Sequence, residues 1–210
     1  MPSTSDSKRP LRDIAPAWPK IRQIVKLLNI MVYLFFATGT EELEALGTAD
    51  IIRRAGLDLQ IVSITGERIV TGAHGIRVET DALLNDIDFF DADLLVLPGG
   101  MPGASNFAAC ADLCERIRDH AYLGRPVAAI CAAPLVLGRL GLLEGKRATC
   151  YPGFEGELTG ATCTGALVEQ DGQIITGKGP AAVFEFGYTI VAHMKDQQTA
   201  DALSHGMLYK

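Results

Sequence analysis

Three short stretches of this chain set chemically capable residues beside glycine, alanine or a helix start: VAAICAAPLVL over 127–137, LPGG over 97–100 and TGTEELE over 38–44. In the first, an apolar strand runs straight into Cys131, and Pro134 suits the opening turn of a helix, where its missing N–H costs nothing. A thiol in so sharp a turn stands above the sheet, as serine does in a nucleophile elbow. A helix N-terminus would also favour its thiolate and lower its pKa. Ala132 and Ala133 keep bulk away and leave their N–H groups open to a ligand. The plain alternative is a small, inert buried cysteine. In the second stretch, Gly99 and Gly100 permit a tight turn that aims N–H groups at a developing oxyanion, or simply end a strand. In the third, Thr40 can cap a helix whose first turn holds Glu41 and Glu42, where the dipole favours carboxylates. Glu44 lies one turn in. It either faces solvent, the default for a glutamate, or leans across the strand ends. There, desolvation would raise its pKa and let it donate a hydrogen bond to a thiolate.

Something must bring these stretches together. MVYLFFAT, LDLQIVSIT, DLLVLPGG, RPVAAIC and GQIITG are apolar runs of strand length. EELEALGTADIIRRAG, NFAACADLCERIRDHAYLG, AAPLVLGRLGLL and PAAVFEFGYTIVAHMKD read as the helices between and after them. Strands buried on both faces and separated by helices predict an α/β fold, a parallel sheet with helices on both sides. Ligands of such sheets sit beyond the carboxyl ends of the strands, where all three stretches fall.

Bulk properties narrow the function. A chain of 210 residues that is 48% apolar can bury a large core. Its net charge of −6 is a poor match for a phosphate backbone, so nucleic acid is not expected as a main partner. No apolar run reaches the roughly 18 residues of a membrane span. Five cysteines, an odd number, and no apolar secretory leader predict free thiols in a reducing, cytoplasmic setting. Residues 1–30, rich in Ser, Pro and basic side chains, read as a flexible extension ahead of one domain over 31–210. No dinucleotide fingerprint, Walker loop, HExxH or paired CxxC occurs, so no cofactor or metal is expected.

Taken in order and spacing, TGTEELEALGTADIIRRAG, GAHGI, DADLLVLPGGMPGA, VAAICAAP, ATCYPGFE and GKGPAAVFEF resemble the ThiJ/PfpI superfamily, over about residues 31–195. The similarity is greatest to its branch containing the Parkinson's-disease-associated protein deglycase. The resemblance implies a flavodoxin-like three-layer sandwich and a homodimer. It makes Cys131 the nucleophile, Glu44 its protonated partner, and Gly99, Gly100 and Ala132 the backbone on the oxyanion side, with His74 and Tyr151 in supporting positions. It implies a cofactor-independent glyoxalase or deglycase acting on a small carbonyl compound or a glycated adduct. The alternative is an oxidative-stress sensor or chaperone in which Cys131 becomes a sulfinate. Tyr151 stands where close relatives have histidine, and tyrosine cannot serve as a general base near neutrality. Ala132 stands where the protease-like branch has histidine, which sets peptide hydrolysis aside. Cys110 and Cys114, four apart on one predicted helix, read as packing residues. Cys150 and Cys163 are expected to flank Tyr151.

Overall fold

A computed structural model describes residues 30–209, so all of the expected N-terminal extension except Ile30 lies outside the described residues. In chain order, β1 (Met31–Phe36) leads into α1 (Glu42–Arg54) and β2 (Asp58–Ser63). The short strands β3 (Ile69–Thr71), β4 (Arg77–Glu79) and β5 (Ala82–Leu83) come next, and then β6 (Ala92–Leu97). The helices α2 (Gly103–Ala109) and α3 (Ala111–Tyr122) precede β7 (Val127–Ile130) and α4 (Pro134–Arg139). Strands β8 (Arg147–Ala148), β9 (Thr162–Cys163), β10 (Val168–Asp171) and β11 (Ile174–Gly177) follow, before α5 (Val183–Met194) and α6 (Gln197–Gly206).

Seven strands form one sheet in the order β10-β11-β7-β6-β1-β2-β5. Every neighbouring pair is parallel except β10 with β11. The alternation of β1 explains the layers. Val32, Leu34 and Phe36 join Ile52 of α1, Phe186 of α5 and Ala200 of α6 in one core. Tyr33 and Phe35 point the other way, toward Phe107 of α2, Ile117 of α3 and Leu135 of α4. Burying each such side chain stabilises the fold by roughly 1.5–3 kcal/mol. The result is the expected mostly parallel sheet between two helical layers. The chain leaves β1 toward β2 on one side and β6 on the other, so the crevice at β1/β6 is the topological switch point.

Two predicted helices differ in extent. The run over 106–124 is not continuous, because Cys110 has extended backbone (φ −81°, ψ 96°) and separates α2 from α3. Cys110 and Cys114 therefore do not share a helix face; the Cys114 thiol lies near the Phe107 and Ala108 carbonyls. After Cys131, the helix is confined to Pro134–Arg139.

Candidate active site

Cys131 directly follows β7 and has φ +66°, a left-handed conformation that costs a residue with a side chain about 1–2 kcal/mol. Two backbone hydrogen bonds hold it there. Its N–H donates to the Gly177 carbonyl on β11 (2.8 Å), and its carbonyl accepts from the Tyr151 N–H (2.8 Å). The residue is buried, with 7% of its surface exposed. Strain imposed on a cysteine by its surroundings is a feature of sites rather than of packing.

Glu44 does not face solvent: it is fully buried. The start of α1 explains why. Glu41, not Thr40, caps the helix by accepting the Glu44 N–H (2.6 Å), while Thr40 Oγ1 accepts the Ala37 N–H (2.9 Å). The helix thus begins one residue later than the Thr40 cap predicts, and Glu44 is turned inward beneath the end of β6. Its Oε2 accepts the Gly99 N–H at 2.7 Å. Oε1 is buried with no well-formed hydrogen bond, and the nearby thiol of Cys131 is the side chain with which the carboxyl group interacts. Gly99 lies between the two. A Cβ there would come within 2.5 Å of Cys131 Cβ and 2.7 Å of Glu44 Oε2, so only glycine lets them meet. Gly100 (φ +87°) is equally constrained, since a side chain would strike the Glu41 backbone nitrogen.

The electrostatics follow from this burial. Desolvation pushes the Glu44 carboxyl up to about 7, against hydrogen bonds from Cys131 and Gly99 that favour its charged form. Desolvation also pushes the Cys131 thiol up to about 12, reinforced by the charge and hydrogen bond of Glu44. The Gly100 and Ala132 N–H groups act in the opposite sense. The thiol depression expected from a helix N-terminus is therefore not found. Helix α4 is six residues long and starts three residues past Cys131, too short and too far to offset burial. The pair nevertheless shares its protons. With one negative charge between them, the charge rests on Glu44, or on sulfur with the proton on Glu44 Oε1. The second arrangement is a thiolate facing two N–H donors and one carboxylic acid.

The other expected residues are distributed unevenly. Gly100 and Ala132 direct their N–H groups at Cys131, whereas that of Gly99 is taken by Glu44 and is not free for an oxyanion. Tyr151 contributes its backbone N–H, and its half-exposed ring packs against Gly179. With Pro152, Leu167, Lys178 and Pro180 it lines a hollow of about 200 Å³. His74 does not reach Cys131. Its Nδ1 lies 2.8 Å from Glu42 Oε2 and 3.7 Å from Glu41 Oε1, and its N–H donates to Glu42 Oε1 (2.8 Å). Glu42, taken from sequence as an ordinary first-turn carboxylate, is 2% exposed and also accepts the Ile76 N–H. The GAHGI loop explains its burial, and nothing in TGTEELE alone distinguishes it from a solvated glutamate. Glu41, Glu42 and His74 bring three potential ligand atoms within 4.8 Å of one another. The hydrogen bonds just described already engage Glu42. A second hollow of about 90 Å³, at Phe89, Arg116 and His120, lies by the opposite, amino-terminal ends of β6 and β7 and has no part in this arrangement.

A buried acid against a strained cysteine, at the switch point of a parallel α/β sheet, defines a class of cysteine-centred flavodoxin-like proteins. Within it, the chain belongs to the DJ-1/PfpI family, whose model matches residues 30–193. Protein DJ-1 homolog A of Arabidopsis thaliana is 40% identical over 183 residues, 85% of this chain and 46% of that protein. This chain thus spans less than half the length of that relative. The protein named Glutathione-independent glyoxalase DJR-1.2 of Caenorhabditis elegans is 31% identical over 165 residues, 78% of this chain and 87% of that protein. Among solved structures, oxidized Toxoplasma gondii DJ-1 matches with a TM-score of 0.82 and 31% identity, covering 86% of this chain and 98% of that one.

Proposed function

We propose that this chain is a cofactor-independent, cysteine-dependent enzyme acting on reactive dicarbonyls or their adducts, of the glyoxalase or deglycase type. The observation that carries the reading is the fully buried Glu44, held beside Cys131 with its carboxyl pushed up to about 7. A carboxyl group poised there can both give and take a proton at neutral pH. With methylglyoxal, the Cys131 thiolate adds to the aldehyde carbon to form a hemithioacetal. Its oxygen is held by the Gly100 and Ala132 N–H groups. Glu44 gives its proton to that oxygen. As the carboxylate, it then removes the proton from the carbon and returns it to the neighbouring carbon, while the hydroxyl proton passes to the neighbouring oxygen. Water then hydrolyses the resulting thioester to lactate and frees the thiol. The product equals methylglyoxal plus one water, so no redox cofactor enters. The hollow beside Tyr151 is the proposed place for the rest of the substrate. The name of the Caenorhabditis relative supports the same chemistry. Conversion of methylglyoxal to lactate should vanish in Cys131→Ala and in Glu44→Gln; undiminished turnover in either would overturn the mechanism.

A second reading, a sensor or chaperone without turnover, is favoured by the same N–H groups and acid, which suit a Cys131 sulfinate. The oxidized state named for the Toxoplasma relative supports it. Mild peroxide that oxidises Cys131 in a protein without dicarbonyl turnover would select this reading. In either case we assign residues 31–210 to one cytoplasmic unit acting as a homodimer. Leu43 (56% exposed) and Leu46, three residues apart on α1, offer an apolar surface for the second copy. Among the described residues, no helix is long and apolar enough to cross a membrane.

A further inference from the structure

Two thiols outside the Cys131 site meet at the small β8–β9 sheet. These strands run parallel with Ala148 opposite Cys163. Cys150 lies two residues beyond Ala148, and both are buried in the same core layer. The Cys163 side chain is near enough to act on the Cys150 thiol. Their surroundings differ sharply: Cys150 is 3% exposed, whereas Cys163 is open to solvent. Burial, with the neighbouring Cys163 next, pushes the Cys150 thiol up to about 12. An oxidant from solvent therefore meets Cys163 first.

We infer that Cys150 and Cys163 form a second oxidation site, closed by peroxide to an intramolecular disulfide whose formation is felt at Cys131. The Cys163 sulfur attacks hydrogen peroxide, the O–O bond breaks, and a sulfenic acid and one water result. The Cys150 sulfur then displaces the sulfenic oxygen, which leaves as a second water carrying the Cys150 proton. Two thiols and one peroxide thus give one disulfide and two waters. Closure sets the sulfurs about 2.05 Å apart and the two Cβ atoms about 3.8 Å apart, which fixes the two backbones relative to each other. The preceding Thr149 is anchored, since its N–H donates to Thr176 Oγ1 (2.9 Å) and its hydroxyl to the Ala166 carbonyl (2.7 Å). Movement therefore falls on Cys163, in the two-residue β9, and on Cys150 with Tyr151. The Tyr151 N–H is one of the two backbone hydrogen bonds that hold Cys131 in its left-handed conformation. The inference does not depend on what Cys131 catalyses, because its readout is the reactivity of the Cys131 thiol itself.

The test treats the full chain with limiting hydrogen peroxide, blocks free thiols and digests it without reductant. Trypsin leaves both cysteines on one peptide, residues 148–178, and cleavage after Glu155 or Glu157 separates them. The expected result is a peptide lighter by two hydrogens that stays linked after cleavage at glutamate and is released by dithiothreitol. Cys163→Ser should abolish this species. Among molecules retaining a free Cys131, iodoacetamide should label that thiol at a rate changed about tenfold by closure, the response of a nucleophile to a small misplacement. Cys163→Ser should show no such change. A Cys150 that stays free while Cys163 goes to sulfinic acid, or links to another chain, would overturn the site. A closed disulfide with an unchanged Cys131 labelling rate would overturn the relay.

Discussion

Glu44→Gln tests the buried acid without reference to any substrate. Glutamine keeps the shape, can accept the Gly99 N–H through its carbonyl oxygen, and can place its amide group where Oε1 now lies unpartnered. It removes only the titration. The wild-type carboxyl has an ordinary pKa of 4.5 in the unfolded chain and one raised to about 7 in the fold. Between these values the unfolded chain binds fewer protons, so wild-type stability falls as pH rises. Below the unfolded value both states are protonated and there is no penalty; above the folded value the penalty is complete and constant. At 1.36 kcal/mol per pKa unit, full ionisation costs the fold about 3 kcal/mol. Glu44 is fully buried, so solvent screening does not reduce this figure. Cys131, whose thiol is pushed up to about 12, adds no second ionisation over this range, because its thiolate form with the proton on Glu44 belongs to the same single ionisation of the pair. Urea unfolding of both proteins from about pH 4 to about pH 8 gives the comparison, because every other titrating group cancels in the difference. The stability of Glu44→Gln relative to wild type should rise by about 3 kcal/mol across that range. A difference that stays flat, or falls, would refute a raised Glu44 pKa and the proton role built on it.

Three further outcomes follow from the same geometry. Cys131→Gly should be more stable than Cys131→Ala by about 1 kcal/mol in thermal or urea melts, because both lose the sulfur and only alanine pays for φ +66°. Equal stability would mean that Cys131 is unstrained. The Glu42 carboxyl is held below its ordinary value, desolvation being outweighed by hydrogen bonds from His74 and Ile76, and the His74 imidazole is raised by Glu42. The Glu42 contribution is present above its unfolded pKa and lost as pH falls through the folded one. The His74 contribution is present below its unfolded pKa and lost as pH rises through the folded one. His74→Ala should therefore lower stability most between those two titrations, and its deficit in pH-resolved melts should shrink on either side; a uniform deficit would contradict the ion pair. Finally, if the chain forms the proposed homodimer through α1, Leu43→Glu should shift it to monomer in sedimentation equilibrium while leaving the fold intact by circular dichroism, and an unchanged dimer mass, or a monomeric wild type, would overturn that assignment.

The central strands were legible because long apolar runs bounded by glycine or proline leave little choice. β1, β2, β7 and β11 fall inside the predicted runs, β6 begins one residue ahead of its own, and the C-terminal ends of β1, β6 and β7 bring the three stretches together. The short strands β3, β4, β8 and β9 were not legible, since two or three residues carry no period, and α6 was missed. The break at Cys110 was hidden for another reason: nothing in NFAACADLCERIRDH stops a helix locally, and the turn between α2 and α3 belongs to the packing of both against the sheet.

The site shows the same division between local and non-local causes. VAAICAAP identified Cys131 as a thiol at a strand end, which is a local property. Its left-handed backbone depends on Gly177 and Tyr151, 46 and 20 residues downstream, through hydrogen bonds no local pattern encodes. The thiol pKa was expected low because a helix start is visible in sequence, whereas the desolvation that outweighs it comes from the surrounding core. Glu44 and Glu42 make the point most sharply. Two glutamates in one turn have indistinguishable local context, yet one meets a thiol through Gly99 and the other a histidine through GAHGI. Residue type and spacing could nominate both carboxylates. Only the partners that arrive from β6 and from the loop between β3 and β4 decide that the Glu44 carboxyl is held near neutrality while that of Glu42 is held charged.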